Sequence, residues 1–226
     1  MKDNNPSFWL PKIFKWCGFI FSGAFFFVLA FAPLVEGDSP PVILAFGDSL
    51  TAGYGVQEQE SYPSRLQVIL QGKGYPHRVI NAGVSGDTTA GGVRRIRWLL
   101  KHKPVIVILA LGANDGLRGL SISEMDSNLK RIIEICRQHK AKVLLAGMKI
   151  PPNFGEEYSH QFEEVYSRLA REFKIPFLPF LLKGVAAHRE YTQADGIHPL
   201  GSGYKVVAKT VWKYLEPMLP GTSSPL

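Results

Sequence analysis

Between residues 40 and 218, short continuous apolar runs alternate with longer stretches whose apolar positions recur every three or four residues. The first pattern fits buried strands and the second amphipathic helices. Val42-Ile43-Leu44-Ala45-Phe46, bounded by Pro41 and Gly47, predicts a first strand. Tyr62 to Leu70 predicts a helix with Ser61 as N-cap and with Gly72 and Gly74 near its end. Arg78-Val79-Ile80-Asn81 predicts a second strand, which stops at the glycine-rich turn Ala82 to Thr88. A helix then runs to Lys103, with Pro104 as its stop. Val105 to Leu111 is continuous, β-branched and central in character. A helix over about Ser123 to His139 follows, and Ser121 and Glu124 are spaced for a capping box. Val143 to Ala146 predicts strand four and Pro151 to Gly155 a loop. Phe162, Val165, Tyr166, Leu169 and Phe173 mark one face of another helix, and Pro176 to Leu178 is a short fifth strand. A looser segment reaches Asp195-Gly196-Ile197-His198-Pro199, and the last helix carries Val207, Val211, Tyr214, Leu215 and Met218 on one face.

Strands that alternate with helices make a parallel sheet with right-handed connections, an α/β fold. The chain of 226 residues suffices for one such domain, and its 46% apolar content excludes a disordered chain. Residues 1–37 stand apart. Lys2, Lys12 and Lys15 precede a charge-free apolar run from Trp16 to Val35, the layout of a secretory signal. The run is also long enough to stay in a bilayer as an anchor. Both readings export the domain of residues 38–226 to the periplasm or beyond. The whole chain carries +7, of which +6 remains without residues 1–37. No basic motif with interleaved aromatics supports nucleic-acid binding. Arg94, Arg95, Arg97, Lys101 and Lys103 read as a solvated helix face, with an anionic membrane surface as the second reading. Cys136 falls on an apolar helix face and reads as a small buried hydrophobe.

The chemistry gathers where strands end. Ser49 follows the first strand in Gly47-Asp48-Ser49-Leu50, Gly83 follows the second, and Asn114 follows the third in Gly112-Ala113-Asn114-Asp115-Gly116. Parallel strands bring all three to one edge of the sheet. Acyl transfer needs a nucleophile and donors aimed at a developing oxyanion. Ser49 offers the hydroxyl and its own N–H, Gly83 an N–H, and Asn114 an amide. A serine needs a base, and His198 is the candidate, with Asp195 three residues before it to fix the ring. Each stretch also reads as an ordinary turn. His77, His160 and His188 sit in no motif and read as surface residues. Gly-x-Ser-x-Gly is absent around Ser49, which argues against an ordinary α/β-hydrolase elbow. No spacing of His, Cys, Asp or Glu resembles a metal site, and no cofactor is expected.

Gly47-Asp48-Ser49-Leu50, the turn at Gly83, Gly112-Ala113-Asn114-Asp115 and Asp195-x-x-His198 resemble, in order, the four sequence blocks of the SGNH (GDSL) hydrolases. Leu111 to Gly119 and Pro152-Asn153-Phe154-Gly155 resemble the bacterial periplasmic thioesterase I, lysophospholipase and arylesterase group in particular. The resemblance implies a flavodoxin-like, three-layer α/β/α fold on a five-stranded parallel sheet, a Ser49–Asp195–His198 triad and an open groove for an acyl chain. Leu117, Pro151, Pro152, Phe154 and Ile197 lie in loops expected to border that groove. The activity so implied is hydrolysis of small-molecule or lipid acyl esters and thioesters. The rival readings are a carbohydrate O-deacetylase and a membrane-tethered binding domain with a lapsed site.

Overall fold

A computed structural model describes residues 39–220, apart from the side chain of Pro152. The expected targeting segment and residues 221–226 lie outside the described residues. In chain order the elements are β1 (Val42–Gly47), α1 (Ser49–Ala52), α2 (Tyr62–Gly72), β2 (Arg78–Gly83), α3 (Thr89–Leu99), β3 (Pro104–Ala110), α4 (Ala113–Leu117), α5 (Ile122–Gln138), β4 (Lys142–Ala146), α6 (Glu156–Phe173), β5 (Phe177–Leu178) and α7 (Gly201–Leu215).

The five apolar runs pair as one sheet in the order β2-β1-β3-β4-β5, every pair parallel. β1 lies inside the sheet between β2 and β3, and all six of its residues are buried. That is why it reads as a continuous apolar run rather than an alternating one. Helices α2 and α7 pack on each other, and α3, α5 and α6 form a second layer. The helical spacing seen in the sequence explains this. Met125, Leu129, Ile132, Ile133 and Cys136 share the buried side of α5. Cys136 is packed as a small hydrophobe, and burial pushes its thiol up to about 12.

Helix starts follow the sequence signals. The Ser61, Thr88 and Ser121 hydroxyls accept from the backbone N–H groups of Ser64, Gly91 and Glu124, satisfying donors that a helix leaves open. The third helix ends earlier than its pattern predicts. It stops at Leu99, tightens into a 3₁₀ turn over Leu100–His102, and leaves Lys103 in the left-handed region at φ 50°. Pro104 is the cause, since a residue before proline is pushed out of the helical region. His77 also departs from expectation. It is buried rather than on the surface, and burial pushes its ring below the ordinary histidine range.

The register positions the functional end. Gly47 pairs with Gly83 on one side and Ala110 on the other, so β1, β2 and β3 end level. Strand order reverses between β1 and β3, and in open α/β sheets that reversal opens a crevice at the carboxyl ends. Arg95 locks this end. Its guanidinium donates to Asp87 Oδ2 (2.7 Å), the Ala82 carbonyl (2.7 Å) and the Gly47 carbonyl (2.8 Å), and lies over the Phe46 ring. Arg95 is therefore not part of a solvated face, although its neighbours Arg94 and Arg97 are exposed.

Arg95→Ala is expected to leave Asp87 and two strand-end carbonyls without their donor. The loss in unfolding free energy should be about 3 kcal/mol, the low end for a pair that is not fully buried. Arg95→Lys should recover only part of it, since an ammonium cannot span three acceptors as a planar fork does. Urea unfolding of the three proteins checks this, and an unchanged midpoint in Arg95→Ala would contradict the clamp.

Candidate active site

The site begins where β1 runs out. Asp48 turns the chain, and its Oδ1 accepts from the Leu50 N–H (3.0 Å), which caps the short helix α1. Ser49 is the first residue of that helix, so its own N–H has no intrahelical partner. Among the described residues nothing accepts from it. The same holds for the N–H of Gly86, in the turn after β2.

The loop Thr192–Pro199 delivers the base. It is closed by a bridge between Thr192 and Pro199. Gln193 pins it to α1's far end by donating to the Tyr54 carbonyl (2.8 Å). Within it, Asp195 Oδ1 accepts from the N–H groups of Ile197 (2.9 Å) and His198 (3.0 Å). That tight turn leaves Oδ2 2.6 Å from His198 Nδ1. His198 Nε2 lies 2.9 Å from Ser49 Oγ. Burial opposes ionisation of Asp195, but the bonds from His198 and Ile197 outweigh it and hold the carboxyl below its ordinary range. An ionised Asp195 on Nδ1 fixes the tautomer that leaves Nε2 free to accept a proton. The Tyr54 ring stands 4.6 Å from the imidazole and covers it.

Asn114 comes from α4, beyond β3. Its Nδ2 donates to the Asp87 carbonyl (3.0 Å) and, over a longer 3.4 Å, to Asp48 Oδ2. The neighbouring Asp115 is buried and accepts from the N–H (2.9 Å) and hydroxyl (2.6 Å) of Thr89 at the start of α3. Thus the turns after β1, β2 and β3 are tied to one another by side chains beneath the site. Asp48 is the most deeply buried carboxyl of this layer. Desolvation raises its carboxyl to about 7, although the Leu50 N–H and His198 pull the other way.

Ser49, Asn114 and His198 border one cavity of about 220 Å³, with Leu50, Tyr54, Ser85, Gly86, Ala113, Leu117 and Ile197. Leu117 and Ile197 border this cavity. Gly83 does not. It is the last residue of β2, its N–H donates to Asn81 Oδ1 (3.0 Å), and a Cβ there would overlap the Ala52 N. Gly86, three residues on and at φ 77°, takes the place beside Ser49. Pro151 and Phe154 do not line the cavity either. They follow β4, one strand away from the reversal, where Pro151 is exposed and Phe154 packs half-buried on the core. The side chain of Pro152 lies outside the described residues.

Residues 45–206 match the GDSL-like lipase/acylhydrolase family. The esterase TesA of Pseudomonas aeruginosa is 39% identical over 192 residues, 84% of this chain and 96% of that protein. The thioesterase 1/protease 1/lysophospholipase L1 of Escherichia coli is 36% identical over 178 residues, covering 78% and 84%. A crystal structure of TesA superposes with a TM-score of 0.77 at 40% identity, over 79% of this chain and 99% of that one. The chain belongs to the GDSL-like lipase/acylhydrolase family, and it is a hydrolase on that fold.

The raised carboxyl of Asp48 has a consequence for stability. The folded protein keeps a proton on Asp48 that the unfolded chain releases above its ordinary value of 3.8. Stability from this group is therefore full below that value and is lost as pH rises toward about 7. The effect is on the order of a few kcal/mol. Asp48→Asn, which cannot ionise, should gain on the wild type across this window. Thermal midpoints of both proteins at graded pH test this, and a gap independent of pH would contradict it.

Proposed function

We propose that the protein hydrolyses acyl esters and thioesters through a covalent acyl-enzyme on Ser49. The observation that carries this is the hydrogen-bonded chain from Ser49 through His198 to Asp195, set in a cavity at the sheet's reversal point. Ser49 Oγ attacks the carbonyl carbon while His198 Nε2 takes its proton. Asp195 holds the ring and stabilises the imidazolium. The carbonyl oxygen becomes an oxyanion facing the N–H groups of Ser49 and Gly86. The Asn114 amide joins them by exchanging its long bond to Asp48 for a short one to the oxyanion. His198 then protonates the leaving alcohol or thiol. Water, deprotonated by the same nitrogen, attacks the acyl-enzyme and frees the acid and Ser49.

The size and lining of the cavity support the substrate class. At about 220 Å³ it falls below the roughly 300–1,000 Å³ of pockets that enclose a drug-sized ligand. It suits the reacting carbonyl and the first part of an acyl chain. Leu50, Ala113, Leu117 and Ile197 give that part an apolar wall, worth about 0.8 kcal/mol for each methylene buried. The names of the relatives, an esterase and a thioesterase/lysophospholipase, support acyl substrates of this kind. An acetyl group would leave most of the wall unused, which weighs against the carbohydrate deacetylase reading. The basic and then apolar segment ahead of residue 38 supports an exported enzyme.

Steady-state kinetics on p-nitrophenyl esters and acyl-CoAs of graded length test the reading. The expected result is a kcat/KM that climbs over the first several methylenes. Asn114→Ala should lose about 10²–10³ in kcat with little change in KM. A profile that peaks at acetyl would overturn the substrate class, and an Asn114→Ala protein with wild-type kcat would remove that amide from the oxyanion site.

A further inference from the structure

Because every strand is parallel, the connections into β3, β4 and β5 all lie at the end of the sheet opposite the candidate active site. They bring Lys101, Lys103, Lys140, Lys142 and Lys174 there, with Arg137 from the last turn of α5. Among the described residues none of these six cations has a carboxylate within 4.0 Å. Nearby Glu172 and Glu216 are occupied by other cations, Lys130 with Arg168 and Lys73. Lys103, Lys140 and Lys174 adopt φ of 50°, 61° and 51°, where glycine is the residue of least strain. A helix dipole favours a cation at such an end. It does not account for apolar surface gathered beside the cations.

That surface is present. A cavity of about 500 Å³ is walled by Arg137, Lys140, Lys142 and Lys174 around Phe173 and Met218. A second, of about 400 Å³, shares Lys142, Pro217 and Met218 with the first and adds Pro41, Val105 and Leu219. Val105 is 40% exposed, and Trp98, one turn of α3 before Lys101 and His102, is 62% exposed. Cations around exposed aliphatic and indole side chains match a lipid headgroup layer, where phosphates meet the lysines and apolar side chains reach the acyl boundary. A nucleic acid would satisfy the lysines and leave the apolar strip against phosphate. The chain also enters the domain at this end through Pro41, and the apolar run Trp16–Val35 stops six residues before β1. Six residues reach at most about 20 Å, so a bilayer that holds the run is within the chain's reach of this end.

We propose that the end of the sheet bearing Lys103, Lys140, Lys142 and Lys174 docks on a membrane surface rich in anionic phosphate headgroups, with the active-site cavity at the opposite, aqueous end. The cations supply attraction over a distance and the apolar strip supplies contact. Substrate then reaches Ser49 from the water rather than from beneath the domain.

The test uses the full-length chain carrying Cys17→Ser and Gln138→Cys, labelled with an environment-sensitive fluorophore. Gln138 ends α5 beside Lys140, and buried Cys136 stays unlabelled. The protein is incorporated into vesicles of phosphatidylcholine alone or with phosphatidylglycerol. Emission should shift to the blue only in the anionic vesicles and return on adding molar salt. A label at Ser123→Cys, at the other end of α5, should not shift. Lys103→Gln, Lys140→Gln and Lys142→Gln should each lower the docked-to-free ratio about fivefold, with hydrolysis of a soluble ester unchanged. Equal emission in both kinds of vesicle would overturn the proposal, whether the label is exposed throughout or covered by the chain's own termini. A shift produced by duplex DNA and not by anionic lipid would assign the face to nucleic acid instead. The wild-type lysines give the lipid and salt comparison by themselves, so the proposal stays testable if a glutamine variant fails to fold.

Discussion

No Cβ fits at Gly47. It would overlap the Thr51 hydroxyl and lie 2.7 Å from the Ala110 carbonyl. β1 therefore closes on a bare backbone packed between its own following helix and β3, and the chain must turn at Asp48. The cap that Asp48 makes to Leu50 fixes Ser49 as the first residue of α1, with its N–H and hydroxyl both on the open side of the turn. Since β3 ends level with β1, Asn114 arrives at the same height from the other side of the reversal. His198 and Asp195 are placed by a loop rather than by a strand end. That loop is held by Gln193 against Tyr54, one residue past the glycine cap of α1 at Gly53.

Beneath these groups runs a polar layer with little slack. Arg95 fastens Gly47, Ala82 and Asp87, Asp87 holds Asn114, and Asp115 holds the start of α3. A hydrogen bond to a charged group contributes about 1.5–3 kcal/mol, against about 1 for a neutral one. The bonds from Arg95 therefore weigh more in placing the turns than the neutral one from Asn114 to the Asp87 carbonyl. Asp48 is the exception, a buried carboxyl with one firm donor and one long one, held protonated toward neutral pH by desolvation. Its second donor is the amide that the proposed oxyanion also needs. The long bond leaves that amide only loosely committed before substrate binds.

The sheet was legible in the sequence because buried parallel strands are continuous apolar runs, and the helices because their apolar faces repeat at three and four. Ser49, Asn114, Asp195 and His198 were legible because each sits in a short block with a defined place relative to a strand end. Gly83 against Gly86 was not. Both lie in one glycine-rich stretch of sequence, and which one borders the cavity depends on β2 running two residues further than its apolar pattern. Arg95 was hidden for a related reason. It lies one step around α3 from Arg94, which is exposed, and charge alone does not say which side of the helix faces the turns. His77 is buried beside a cavity it shares with Pro41, Val105 and Pro217, residues that its own short segment does not encode.

The proposed mechanism requires Ser49 to be a nucleophile activated by His198, rather than a turn residue that happens to lie near an imidazole. Covalent labelling reads this directly. The protein is treated with a fluorophosphonate, digested, and mapped by mass spectrometry. A nucleophilic Ser49 predicts one phosphonyl group on its own peptide, and a rate of labelling that collapses in His198→Ala while the fold persists. Ester hydrolysis that continues with Ser49 unlabelled, or a label on another residue, would contradict it.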